Sequence, residues 1–95
     1  MIIFLTNNTL QLTEELDYLL INEPVKLLDD YHLEYNNQVI EFDYLIIKDQ
    51  SFIISENLPF IKDGSLIITN WVGQTSIEHI YIGNFDKAID DLLNN

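Results

Sequence analysis

Apolar and polar positions change their spacing several times along this 95-residue chain, and each change predicts a new element. Met1–Leu5 is a short β-prone run that gives way to the turn formers Thr6, Asn7, Asn8 and Thr9. Leu12, Leu16, Leu19 and Leu20 then recur at helical spacing, which predicts a helix with a buried leucine stripe. Thr13 is placed to cap it, because a threonine hydroxyl accepts from a free backbone N–H. Glu14 and Glu15 fall in the first turn, where the helix dipole favours negative charge. Pro24 blocks continuation.

Strand-like patterns dominate the middle of the chain. Val25–Leu28 reads as a short strand, and Tyr31, Leu33 and Tyr35 alternate with His32 and Glu34, the period-two pattern of a half-buried strand. Asn36-Asn37 tolerates positive φ and suits a two-residue hairpin turn. The return passes through Val39, Ile40 and Phe42 into Tyr44–Ile47, whose continuous apolar run predicts a strand covered on both faces. Phe52–Ile54 reads as a brief strand, and Pro59 argues against a helix through that region. Asp63-Gly64 is a turn signal before the strand Leu66–Thr69. A loop with Trp71, Gly73, Gln74, Thr75 and Ser76 leads to the strand Ile80–Ile82. Asn84 is then placed to cap a helix whose Phe85, Ala88, Ile89, Leu92 and Leu93 share a face. The expectation is one small α/β domain over residues 1–95, with a mixed central sheet and about two main helices, and with α+β open as the variant.

Charge narrows the partners. Sixteen acids against four lysines, with no arginine, give a net charge of −12. Such a surface repels phosphate backbones and anionic lipid, so neither nucleic acid nor a membrane is an expected partner, whereas a basic protein is favoured. An acidic surface is also simply a solubilising one. Cysteine is absent, which removes disulfides, thiolate metal sites and a thiol nucleophile. Met1–Leu5 lacks a basic leader and a cleavage signature, and no apolar stretch approaches the roughly 18 residues of a membrane span, so a cytoplasmic location is expected.

Candidate chemistry is sparse. His32 and His79 are far apart in sequence and lack a metal-ligand spacing, so ordinary surface or hydrogen-bonding roles are favoured and no metal is expected. Ser55, Ser65 and Ser76 have no nucleophile-elbow context. Adjacent acids such as Glu14/Glu15, Asp29/Asp30 and Asp90/Asp91 suit solvated faces better than acid–base pairs. Trp71 has two readings, packing over the edge of the core or anchoring an interface, since tryptophan combines large area with one polar handle.

Several phrases in their order resemble a thioredoxin-reductase-like flavoprotein of the pyridine-nucleotide disulfide oxidoreductase superfamily. Thr13, Glu14, Glu15, Leu19 and Leu20 fit the family phrase T-E-E-x-x-x-L-L, and Val39–Ile47 fits its hairpin return and apolar strand. Asp63, Gly64, Ile67 and Thr69 follow the family phrase D-G-x-I-x-T-D with one extra residue after Gly64, and Gln74, Thr75, Ser76, Ile80, Tyr81 and Gly83 follow Q-T-S-x-x-x-I-Y-A-x-G-D with one residue fewer before the glycine. The resemblance makes Gly83 and Asn84, with Gln74 and Thr75 nearby, the inherited flavin contacts. It also exposes departures. Gly83 is followed by Asn84 where the family has an aspartate, C-x-x-C is missing, and glycines at 64, 73 and 83 cannot build G-x-G-x-x-G. The isolated chain is therefore expected to carry no cofactor, with FAD bound only if a partner completes the site.

These readings converge on a non-catalytic, protein-binding domain. It is expected to serve as a shortened, degenerate small subunit or regulator of a larger redox protein. Homo-oligomerisation is left open. The alternative is an acidic inhibitor, immunity or nucleic-acid-mimic protein that blocks a basic site. A flavin- or nucleotide-dependent enzyme is the third reading.

Overall fold

The computed structural model describes residues 1–8 and 16–94. Its centre is a four-stranded, wholly parallel sheet built from β1 (Ile2–Leu5), β2 (Tyr18–Ile21), β6 (Tyr44–Ile47) and β10 (Ile80–Ile82). The order across it is β10-β6-β1-β2. A second sheet contains β3 (Val25–Leu27), β4 (His32–Tyr35), β5 (Gln38–Glu41) and β7 (Ile53–Ser55), in the order β5-β4-β3-β7. It is mixed, since β3 runs antiparallel to β4 and parallel to β7. β8 (Lys62–Asp63) and β9 (Leu66–Ile67) form a separate antiparallel ribbon, and the helix α1 (Phe85–Leu93) closes the described chain.

The alternation of side chains across the parallel sheet sorts the molecule into three layers. Ile3, Leu45 and Ile80 stand side by side on one face, as do Leu5, Ile47 and Ile82. They join Val25, Leu27 and Leu33 of the second sheet in one buried cluster. The opposite face presents Phe4, Ile46 and Tyr81, which α1 covers with Ala88 and the partly buried Phe85, Ile89 and Leu92. The expected double coverage of Tyr44–Ile47 is met over Leu45, Ile46 and Ile47, because β6 lies between β1 and β10 with a layer on each face, whereas Tyr44 at its start is exposed. A parallel strand in that position has no solvated face, which is why it reads as a continuous apolar run.

Local signals are met at several places. Asn36 and Asn37 adopt φ of 56° and 62° and join β4 to β5, with Tyr35 opposite Gln38. Ile40 packs on the core while its neighbour Val39 points to solvent. Leu33 is buried, and His32 bonds Asp29 and Glu41 rather than Glu34, which pairs with Lys26 at 3.7 Å.

The helical stripe through Leu19 and Leu20 and the Asn84 cap need correction, while the start of the first helix is outside the described residues. Leu19 and Leu20 belong to β2, in parallel register with Ile3 and Phe4, and not to a helical stripe. An apolar quartet satisfies either period, and pairing with β1 decides it by giving its backbone a ladder. The proposed cap Thr13, with Leu12, Glu14 and Glu15, lies outside the described residues, where α1 is the one α-helix among those described. Asn84 does stand immediately before α1, but its side chain makes no capping hydrogen bond.

Candidate functional site

The loop between β9 and β10 is organised by one asparagine. Asn70 Oδ1 accepts from the N–H groups of Val72 at 3.1 Å and Gln74 at 2.9 Å. Its backbone N–H donates to the Gln74 carbonyl at 2.9 Å, and its carbonyl accepts from Gly73 at 3.0 Å. The Asn70 amide also donates to Gln74 Oε1 at 3.2 Å. Gly73 closes the turn at φ +86°, a region that disfavours side chains, and its carbonyl accepts from Ile82 N–H at 2.8 Å. Val72 is drawn into the core beneath α1.

This bracing leaves Trp71 outside. Val72 points inward, so its neighbour is displayed, with 77% of its surface exposed. Lys87 of α1 holds its ammonium 5.8 Å from the indole centroid, within cation–π range of one side of the ring. Of the two sequence readings, packing over the core edge is not what this geometry provides.

The four residues singled out by resemblance lie on two segments joined by the Gln74–Tyr81 bridge. Gly83, at φ +95°, ends β10 and donates to the Ile47 carbonyl at 2.8 Å, with Asn84 next to it at the start of α1. Thr75 is buried, and its hydroxyl lies 2.9 Å from the Ile80 carbonyl while accepting from Ile77 N–H at 3.1 Å. Gln74 pairs with Tyr81 as an antiparallel bridge and donates its amide to the Glu78 carbonyl at 2.8 Å. The polar groups of Gln74 and Thr75 thus hold the loop's return against β10.

In open parallel sheets, ligands sit beyond the carboxyl ends of the strands where strand order reverses. That point lies here between β1 and β6. The turn after β1 is Thr6-Asn7-Asn8, with Thr6 Oγ1 accepting from Asn8 N–H at 3.0 Å. Lys48, just beyond β6, donates to the Leu5 carbonyl at 2.8 Å through its backbone and to Asn7 Oδ1 at 2.7 Å through its ammonium. The lysine bridges the two strand ends.

At the opposite, amino-terminal edge of the same sheet is an open hollow of about 960 Å³. Ile2, Tyr44 and Tyr81 line it together with the acids Asp17, Asp43 and Glu78. Tyr31 and His79 stack on its wall, ring centroids 4.3 Å apart and nearly parallel, and His79 Nε2 contacts the Asp30 carbonyl. Asp43 meets the Met1 amino group, with Asp17 at 3.9 Å. Tyr81 donates to Asp91 Oδ2 at 2.7 Å. Burial, followed by that carboxylate bond, raises the Tyr81 pKa well beyond the usual phenol value. Among the described residues, no group of three or more histidine, cysteine, aspartate and glutamate side chains is placed to hold a metal, and no helix is long and apolar enough to cross a membrane.

Asn70 and Lys48 escaped the sequence reading, because neither sits in a motif and both act through contacts with distant or turn backbone. Compared with protein-family models, with curated proteins and with solved structures, the chain matches none.

Proposed function

We propose that this chain is a non-catalytic protein-binding domain, a shortened relative of thioredoxin-reductase-like flavoproteins that serves as a small subunit or regulator of a larger cytoplasmic redox protein. The observation that carries this reading is the display of Trp71. Removing a tryptophan from water is strongly favourable, yet the Asn70 network holds this one out in solvent. An aromatic displayed on a braced loop loses less entropy on binding, which is the character of an interface anchor. The commitment of Gln74 and Thr75 to internal bonds supports a role without chemistry. Any flavin in the assembly would be completed by the partner and touched by Gly83 and Asn84.

The test is affinity capture from the native host with wild type and Trp71→Ala, with the captured proteins identified. One redox protein retained by wild type and lost with Trp71→Ala supports the reading. A partner indifferent to Trp71 refutes it.

A second reading, an acidic inhibitor or nucleic-acid mimic, is favoured by Asp17, Asp43 and Glu78 clustering around the hollow at the edge opposite Gly83. It predicts capture that collapses with added salt, because exposed charges are screened within roughly 10 Å at 0.1 M ionic strength. Trp71-driven capture should persist.

A further inference from the structure

The ribbon of β8 and β9 carries an apolar face that is left exposed among the described residues. Lys62 pairs with Ile67 and Asp63 with Leu66, and Ile68 donates to the Ile61 carbonyl at 2.9 Å. Cross-strand partners share a face and successive residues alternate, so Ile61, Leu66 and Ile68 stand together with Asp63, while Ile67 and Lys62 take the other side. Exposure agrees: Ile67 is buried in the main core, whereas Ile61, Leu66 and Ile68 are 61%, 63% and 46% exposed. Single exposed aliphatics are ordinary, but three side by side on one ribbon face are the pattern of a contact surface.

Two-stranded ribbons are marginal alone, and this one is fastened by side chains from elsewhere. Gln50 accepts from Ile67 N–H at 2.9 Å and donates to the Ser65 carbonyl. Ser76 Oγ accepts from Ile61 N–H at 3.1 Å and donates to the Pro59 carbonyl at 3.2 Å. Glu56 pairs with Lys62. These clamps hold the aliphatic face toward water.

We propose that this face docks a partner protein whose contacting surface is aliphatic with a basic rim. The choice of occupant rests on charge. The ribbon's one cation, Lys62, is neutralised by Glu56 on the far side, leaving Asp63 among the exposed aliphatics of a chain with net charge −12. A second copy would set Asp63 and twelve surplus charges against their like, and anionic lipid would be repelled for the same reason. The proposal rests on the protein-binding reading above and adds a surface and a partner chemistry to it.

The test uses a fluorescent synthetic peptide with alternating leucine and lysine, beside matched peptides carrying glutamate or serine in place of lysine. Ile61→Thr, Leu66→Thr and Ile68→Thr keep strand propensity acceptable and touch only exposed side chains. The leucine–lysine peptide is expected to bind best, and each variant to weaken it by roughly tenfold, the loss that follows from uncovering about half an aliphatic side chain. Equal binding by folded variants, preference for the glutamate peptide, or ribbon-dependent dimers in sedimentation would overturn the proposal. In capture from the host, a partner lost with Trp71→Ala but kept by all three ribbon variants removes the ribbon inference alone. A partner kept by every variant removes both.

Discussion

Gln50 offers a sharp test of how the ribbon is held. It sits in a single 3₁₀ turn, Gln50–Phe52, opened by Asp49, whose carboxylate accepts from Ser51 N–H at 2.9 Å, and anchored by buried Phe52. Its amide reaches the outer edge of β9 and there imitates a neighbouring strand, accepting from Ile67 and donating to Ser65. Gln50→Ala deletes both bonds. At about 0.5–1.5 kcal/mol each the loss is about 1–3 kcal/mol, and water's access to this edge places it in the lower half. A loss of about 1–2 kcal/mol raises the open population of the ribbon roughly 5- to 30-fold. Amide hydrogen exchange reads this directly. The amides of Ile67 and Ile68 should exchange faster by that factor, while those of Leu45, Ile46 and Ile47 in β6 should not change. Gln50→Glu keeps an acceptor for Ile67 but sets a carboxylate against the Ser65 carbonyl, so it should recover little. Unchanged exchange at Ile67, or equal acceleration in β6, would show that the ribbon is not held by this clamp.

Three further outcomes follow from the same contacts. Gly64→Ala should lose about 1 kcal/mol for its φ of +62°, and Gly73→Ala more, because its new Cβ also meets the Ile82 carbonyl oxygen at 3.0 Å; urea midpoints compare them. Burial raises the Glu56 pKa, but the Lys62 bond, the Leu58 N–H and the Lys62 charge outweigh it and hold it below the ordinary value. Its stabilisation is therefore present above the unfolded-state pKa and lost as pH falls through the lowered native one, and Glu56→Gln should flatten that acid limb of stability. Absorbance titration should show a late phenol ionisation at alkaline pH, and Tyr81→Phe should abolish that late step.

What could be read from the chain beforehand was whatever depends on neighbours in sequence. Asn36-Asn37 announces its turn because few other residues accept positive φ, and Tyr44–Ile47 announces a strand buried on both faces by lacking polar residues. Phe85, Ala88, Ile89 and Leu92 mark α1 by their spacing, although Leu93 turns out exposed. Leu19 and Leu20 read as helical because a run of four apolar residues fits two periods, and only the distant β1 shows them to be a strand. Asp63-Gly64 and the strand after it were visible, but β8 is two residues long and leaves no pattern, so the shared face of Ile61 and Ile68 appears only in three dimensions. The exposure of Trp71 follows from the Asn70 bond to Val72 and the burial of Val72, which no local pattern encodes.

The parallel ladder has a consequence for assembly during synthesis. β6 takes one neighbour from residues 2–5 and the other from residues 80–82, so its two ladders close over long intervening stretches of chain. Loop closure of that kind is paid before the contacts repay it, which slows folding. A nascent chain halted before residue 80 would leave one side of β6 without its ladder, an unpaired edge open to wrong pairing until translation supplies β10.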